Sequence, residues 1–171
     1  MSYSAIIWQQ DWKSMQGLVI KSPFTGLVMP SSKHPEPLYQ QDILPNSLCA
    51  KLEHGLIIAP FNTKLTTSRD LGRRLRFMHT SGLELIIDLP ITLRKLQGKG
   101  LHWLSEPGQK IAAGSPVLQL DLPFLQLNLG EIFCVASLRV PTKLNTLYSK
   151  QAHVQANQDP LFVLPIHQEP S

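Results

Sequence analysis

Charged side chains that could bind or receive a phosphoryl group are concentrated between Arg69 and Asp88. Within eight residues the chain places four arginines, Arg69, Arg73, Arg74 and Arg76. A guanidinium stays protonated and has only hydrogen-bond donors, so it can bind phosphate or carboxylate but cannot accept a phosphoryl group. The carboxylate of Asp88 could form an acyl phosphate, although sites of that kind usually combine several carboxylates with a metal ion.

The alternation of residues predicts that Asp88 lies on a β-strand. From Leu83 to Leu89 every second residue is apolar and is expected to face the core. The residues between them, Glu84, Ile86 and Asp88, are expected on the opposite face. Glu84 is then the nearest carboxylate that could assist Asp88.

The loop between this strand and the preceding one fixes the pairing of the two strands. A three-residue loop over residues 80–82, with its last residue, a glycine, in a left-handed bulge, keeps apolar residues opposite apolar residues. This register places Arg74 opposite Asp88 and Arg76 opposite Ile86, on the face away from the core. A cross-strand pair of opposite charges stabilises a sheet by about 0.2–1 kcal/mol, so the sequence predicts a surface ion pair here.

Short apolar runs separated by turn residues predict the fold. They recur about every ten residues, and 14 prolines and 10 glycines are spread among them. This pattern is typical of an all-β protein, an antiparallel β-sandwich or a barrel-like structure. Single helical turns are expected at Leu38–Leu44 and Leu101–Ser105, and a loop or short helix over residues 141–157.

Length and composition limit the class of protein. The 171 residues, 43% of them hydrophobic, suffice for one domain with a core. We expect an N-terminal extension over residues 1–16, one β domain over residues 17–164 and a tail over residues 165–171, with both ends poorly ordered. The net charge of +4 is mild and does not favour nucleic-acid binding.

The cysteine content and the lack of long apolar runs predict a location. Cys49 and Cys134 are alone and far apart, which indicates reduced thiols in the cytoplasm and no thiolate zinc site. No run of 18 uncharged apolar residues is present, so membrane insertion is not expected. The first residues lack the features of a signal peptide.

Several motifs, in a fixed order and spacing, extend along most of the chain. They are Lys21–Pro30, His34–Tyr39, Ile58–Phe61, Ser81–Asp88, Leu96–Leu101, Pro107–Ile111, Gly114 and Leu120–Pro123. Together they resemble the glucose-type IIA protein of the bacterial phosphoenolpyruvate:sugar phosphotransferase system. The similarity runs from about residue 17 to residue 124, and residues 152–164 resemble the closing strands of that family more weakly.

The resemblance implies a compact antiparallel β-sandwich of the glucose-permease IIA type, with a shallow hydrophobic depression as the active site. The family's acceptor histidine falls on Asp88, and the second histidine, which hydrogen-bonds the phosphoryl group, falls on Arg73. A neutral imidazole supplies the nucleophile at neutral pH, and neither replacement is an imidazole. The expected binding rim consists of Glu36, Tyr39, Arg69, Arg74, Arg76 and Ile86.

The leading hypothesis is therefore a degenerate IIA protein that carries no phosphate and acts as a regulatory or protein-binding module related to sugar uptake. The alternative is an active phosphocarrier that uses Asp88 or an unaligned histidine. A third hypothesis is an unrelated activity on the same scaffold, such as peptidoglycan hydrolysis, but the metal motifs of lysostaphin-type peptidases are absent from the sequence. The sequence does not decide whether the chain is an enzyme, but the missing acceptor histidine argues against catalytic activity.

The arginines also predict the partner. The family's histidine-containing phosphocarrier protein presents a basic rim, so the added arginines oppose its docking and favour an acidic protein or an anionic small ligand. No cofactor and no metal ion are expected, because the paired histidines that could hold zinc are replaced. The remaining histidines, His34, His54, His79, His102, His153 and His167, are each expected to be exposed to solvent.

Overall fold

The chain is built mainly of β-strands. Its structure, a computed structural model, describes residues 5–12, 16–40, 46–67, 73–141 and 146–165. The strands are β1 (Ala5–Trp8), β2 (Leu18–Lys21), β3 (Gly26–Pro30), β4 (Ser47–Leu52), β5 (Leu56–Ile58), β6 (Thr63–Thr67), β7 (Arg74–Met78), β8 (Glu84–Asp88), β9 (Leu101–Trp103), β10 (Lys110–Ile111), β11 (Pro116–Leu120), β12 (Phe133–Arg139), β13 (Thr146–Ser149), β14 (Ala152–Val154) and β15 (Pro160–Leu164). Short helices connect them: α1 (Pro37–Gln40), α2 (Leu122–Leu129) and 3-10 turns at Ser31–Lys33 and Ile91–Leu96.

These strands form three sheets. The largest has the order β10-β6-β7-β8-β12-β4-β3-β14, and the others have the orders β1-β13-β15-β2 and β5-β11-β9. Neighbouring strands are antiparallel, except for the parallel pair β1 and β13. The predicted all-β antiparallel class is confirmed.

The core lies on one face of the large sheet. Phe24, Phe77 and Phe162 have no exposed surface and anchor a cluster of buried aliphatic side chains. Burying one such side chain contributes about 1.5–3 kcal/mol to folding. The hairpin residues that were predicted to face the core all belong to this cluster. They are Leu75 and Phe77 from the first strand, and Leu83, Leu85, Ile87 and Leu89 in and beside the second.

The predicted register of the β7–β8 hairpin is confirmed. Arg74 lies opposite Asp88 and Arg76 lies opposite Ile86. The N–H of His79 donates to the carbonyl oxygen of Leu83 at 2.8 Å, which closes a loop over residues 80–82. Gly82, the last residue of that loop, has a φ of +92°, as the left-handed bulge requires.

Three local predictions are wrong for a common reason. Residues 101–105 were expected to form a helical turn, but β9 occupies Leu101–Trp103 and pairs with β11. The expected loop or helix over residues 141–157 contains β13 and β14, and the expected poorly ordered N-terminus contains β1. Each of these strands is short, and its hydrogen bonds go to a partner distant in sequence, so local residue pattern does not reveal it.

The expected helical turn at residues 38–44 is found in part, since α1 covers Pro37–Gln40 and residues 41–45 lie outside the described ranges.

The division into extension, domain and tail stays a prediction. Across the described ranges, no helix has the length and apolar composition needed to cross a membrane.

Replacing Gly82 tests the loop that fixes the hairpin register. In Gly82→Ala, the positive φ and a new methyl group only 3.3 Å from the Pro141 side chain are both unfavourable. We expect the free energy of unfolding to fall by about 1–2 kcal/mol in urea denaturation, the usual cost of a left-handed conformation for a residue with a Cβ. Thr80→Ala, in the same exposed loop, is the control and should change it by less than about 0.5 kcal/mol. Equal stability of both variants would contradict the assigned bulge.

Candidate functional site

The sequence-predicted site lies on the face of the large sheet that points away from the core. Strand β7 contributes Arg74 and Arg76 to this face, and strand β8 contributes Glu84, Ile86 and Asp88. We call these five residues the arginine–carboxylate face. Strand alternation places all five on one side, because their neighbours in sequence are the core residues of the hairpin.

Asp88 is held by a two-point ion pair. The Nε of Arg74 donates to Oδ1 at 2.6 Å and its Nη2 donates to Oδ2 at 3.0 Å. Asp88 is only 2% exposed, whereas the Arg74 side chain is 40% exposed. Both oxygens of the carboxylate are therefore occupied by a planar donor that matches their geometry.

Glu84 forms a second pair on the same face. The Nε and Nη2 of Arg76 lie 2.9 Å and 2.8 Å from Oε1 of Glu84. Arg76 is opposite Ile86 in the register, so its side chain reaches diagonally along the strand to the carboxylate. Glu84 is 3% exposed, and the Arg76 side chain is 42% exposed.

The prediction of a surface ion pair is wrong in one respect: both carboxylates are buried. Strand β8 is an interior strand, and β12 pairs with its second edge. Val135 lies opposite Asp88 and Arg139 lies opposite Glu84 on that strand. The carboxylates therefore have neighbours on two strands, while the guanidinium groups of β7 remain at the surface.

Arg73, the second predicted site residue, lies beside the pair. Its Nη1 donates to the carbonyl oxygen of Leu89 at 3.3 Å, and its own carbonyl oxygen accepts the Leu89 N–H at 2.8 Å. Arg73 thus lies next to the end of β8 and contacts Leu89. The arginine that forms the two-point contact with Asp88 is Arg74.

The predicted rim residues are only partly described. Ile86 is buried at the centre of the arginine–carboxylate face, and Glu36 is half-buried. Tyr39 lies in α1, but its side chain is outside the described part, and Arg69 falls in residues 68–72, which are also outside it. Whether these residues form one binding rim stays a prediction.

His34 contradicts the expectation that all remaining histidines are exposed. It is 3% exposed, and its ring centroid lies 5.8 Å from that of Phe133. Its Nδ1 accepts the N–H of Glu36 at 3.0 Å, so the position of Glu36 depends on it. Burial lowers the pKa of His34 below its usual value, because desolvation disfavours the charged imidazolium.

Cys49 lies on the same side of the sheet, one strand beyond Val135. Its Sγ donates to the carbonyl oxygen of Pro30 at 3.3 Å, and burial raises the pKa of this thiol to about 12. Cys134, on the core side, is also buried, and both cysteines are free. Cys49 therefore stays a protonated thiol at neutral pH and is not a nucleophile there.

The other described histidines lie apart from the arginine–carboxylate face. His54 and His102 line an open cleft of about 570 Å³, and His153 hydrogen-bonds Glu53 at 2.8 Å beside a second cleft. His79 packs edge-on against Phe61 at 5.6 Å. His167 lies outside the described residues. Within the described ranges, no group of three or more histidine, cysteine or acidic residues is placed to hold a metal ion.

One comparison shows the family of this chain, and a second shows which solved structure its fold resembles. Residues 18–137 match the family model described as the phosphoenolpyruvate-dependent sugar phosphotransferase system, EIIA 1. The chain belongs to the EIIA 1 family. Its fold is similar to that of the glucose permease IIA from Mycoplasma capricolum, with a TM-score of 0.74 and 17% identity over 91% of this chain and 100% of that chain. The family predicted from the sequence motifs and the glucose-type β-sandwich fold are both confirmed.

Within this EIIA 1 chain, sequence reasoning missed three cations on the same face of the sheet. Lys64, Lys110 and Arg139 extend the arginine–carboxylate face across neighbouring strands. They lie far apart in sequence and have no local pattern in common. Only the order of the strands brings them together.

Breaking the Arg74–Asp88 pair tests how much the two-point contact stabilises this EIIA 1 fold. Arg74→Leu leaves a buried carboxylate without its main partner, so we expect a loss of about 2–4 kcal/mol in the free energy of unfolding. The double variant Arg74→Leu/Asp88→Leu removes both charges and should lose less. Urea denaturation of the wild type, both single variants and the double variant gives the coupling energy, and additive losses would contradict the pairing.

His34 predicts a pH dependence of stability. Because its folded pKa lies below the unfolded value of 6.5, the unfolded chain binds the proton more readily. Burial of the neutral His34 therefore favours the folded state fully above pH 6.5. The free energy of unfolding decreases as the pH falls from there toward the lower folded pKa of His34, because protonation stabilises the unfolded chain. Urea denaturation at a series of pH values should show a smaller loss on acidification in His34→Gln than in the wild type. The exposed His54→Gln is the control and should follow the wild type.

Proposed function

We propose that this chain is a glucose-type IIA protein that transfers no phosphoryl group and acts by binding a protein partner related to sugar uptake or its regulation. The observation that carries this proposal is the two-point ion pair between Arg74 and Asp88. The resemblance in sequence motifs further suggests that Asp88 stands at the position of the family's acceptor histidine and Arg73 at that of its supporting histidine.

The geometry of Asp88 supports the loss of phosphoryl transfer. A carboxylate that attacks phosphorus needs an oxygen lone pair directed at the incoming group. Here each oxygen already accepts a charged N–H from Arg74, at 2.6 Å and 3.0 Å. Each oxygen keeps a second lone pair, but Arg74 neutralises the charge of the carboxylate, and its 2% exposure leaves a phosphoryl donor little access to it.

The charge of the surrounding surface supports an acidic partner. About two fifths of the side-chain surface of Arg74 and of Arg76 remains exposed, at 40% and 42%. A basic docking surface repels the basic rim of a phosphocarrier protein and attracts carboxylates. The two free, buried cysteines are compatible with a reducing compartment, and we propose the cytoplasm as the location.

Phosphoryl transfer can be tested directly. The chain is incubated with phosphoenolpyruvate, enzyme I and the phosphocarrier protein, and its intact mass is measured. We expect no gain of roughly 80 Da, the mass of one phosphoryl group. A glucose-type IIA protein that keeps its acceptor histidine serves as the positive control. A gain that hydroxylamine removes and that Asp88→Ala abolishes would instead establish Asp88 as an acceptor and overturn the proposal.

A second variant tests whether these replacements caused the loss. Arg73→His/Arg74→Ala/Asp88→His introduces both histidines and removes the guanidinium that faces position 88. We expect this variant to gain roughly 80 Da in the same assay, because a neutral imidazole can accept the phosphoryl group. The matched control, Asp88→His alone, keeps both arginines and should gain little. A folded triple variant without any mass gain would show that other positions also block transfer.

A further inference from the structure

The strand order of the large sheet aligns basic side chains in one row. Strands β10, β6, β7, β8 and β12 are neighbours, and their register places Lys110, Lys64, Met78, Glu84 and Arg139 directly opposite one another. We call these five residues the cross-strand row. Residues directly opposite on paired strands point to the same face, and Met78 and Glu84 lie on the side away from the core. The row therefore extends the arginine–carboxylate face in both directions.

The cations at the ends of this row have no carboxylate partner among the described residues. Lys64, Lys110 and Arg139 are each exposed and take part in none of the ion pairs of this part of the chain. Glu84, by contrast, is already paired with Arg76. The unpaired cations thus set the charge of this surface, and they attract an anionic partner.

An apolar residue separates the cations. Met78 is 38% exposed and lies between Lys64 and Glu84 in the row. Neighbouring strands are about 4.8 Å apart, so Lys110 and Arg139 each lie roughly 10 Å from Met78, on opposite sides. The surface is therefore basic at its two ends and apolar at its centre, and is about 19 Å long between its outer strands.

We propose that the cross-strand row is a docking site for an acidic segment of a partner protein, with carboxylates at both ends and an apolar side chain in the middle. This inference rests on the proposed function, since it assigns the surface by which the chain would bind its partner. An extended segment of about six residues spans the same length, at roughly 3.3 Å per residue. Its end carboxylates meet the cations, and its central apolar side chain contacts Met78.

A protein segment fits this row better than a nucleic acid does. A nucleic-acid backbone carries a charge at every phosphate and favours continuous basic surfaces with aromatic residues for its bases. The cross-strand row has a methionine and a paired glutamate at its centre and contains no aromatic residue. Its flexible, apolar methionine suits contact with a protein side chain.

A defined peptide tests the proposal. The probe is a fluorescein-labelled peptide of seven residues, with two glutamates at each end, a leucine in the middle and one serine on each side of the leucine. Its binding to the full chain is measured by fluorescence anisotropy. We expect saturable binding that weakens as salt is raised, because exposed charges are screened. A matched peptide with glutamines in place of the glutamates should bind at least about tenfold more weakly, since four charges are lost. Absence of saturable binding by the acidic peptide would overturn the proposal.

Charge-matched variants locate the binding site. Lys64→Gln/Lys110→Gln/Arg139→Gln should weaken peptide binding about tenfold, because each exposed ion pair contributes roughly 0.2–1 kcal/mol. The control Lys21→Gln/Lys99→Gln/Lys150→Gln removes the same charge from residues outside the large sheet and should leave the affinity within about twofold. Equal weakening by both variants, or tighter binding of duplex DNA than of the peptide, would overturn the assignment of this surface. Thermal unfolding of each variant verifies that it is folded.

Nuclear magnetic resonance of the methionine methyl groups gives a second readout that needs no variant. The peptide should shift the Met78 methyl signal more than that of Met29, which lies on the same side of the sheet but on β3, three strands beyond β8. A larger shift at Met29 would place the peptide elsewhere. If the chain remains unphosphorylated and the peptide does not bind, only the docking site is wrong. A phosphorylated chain would refute the proposed function whatever the peptide does.

Discussion

The contact between Arg74 and Asp88 is the interaction on which the chemistry of this surface depends. It closes a planar two-point pair across β7 and β8 and uses both oxygens of a carboxylate that is 2% exposed. Separating the pair would leave a buried carboxylate without its main partner, which is unfavourable by about 2–4 kcal/mol. The same contact that stabilises the hairpin also neutralises the charge of Asp88, and the proposed loss of phosphoryl transfer rests on it.

The position of β8 inside the large sheet explains why this pair differs from an ordinary surface ion pair. Strands β7 and β12 pair with its two edges, so its polar side as well as its core side is buried. Arginine suits such a site, because its long stem can pack while its charged end remains at the surface. The carboxylates of β8 are thus buried while the guanidinium groups of β7 stay exposed, so the exposed charges of this pair of strands are positive.

Much of this architecture could be predicted from local sequence. Alternation of apolar residues assigned the two faces of β8, and a glycine at the end of a three-residue loop assigned the register of the hairpin. The fold class and the EIIA 1 family also followed from the order of short motifs. The strands β9 and β13 could not be predicted, because their hydrogen bonds go to partners distant in sequence.

The sequence alone therefore determined that Arg74 faces Asp88, because side-chain alternation and turn geometry act over a few residues. Only the tertiary structure decided that both carboxylates are buried, since β12 reaches the second edge of β8 from about 50 residues further along the chain. It also decided that Lys110, Lys64 and Arg139 share one row with Met78. A row of this kind crosses five strands, and its composition is set by the pairing of distant segments and not by any local pattern.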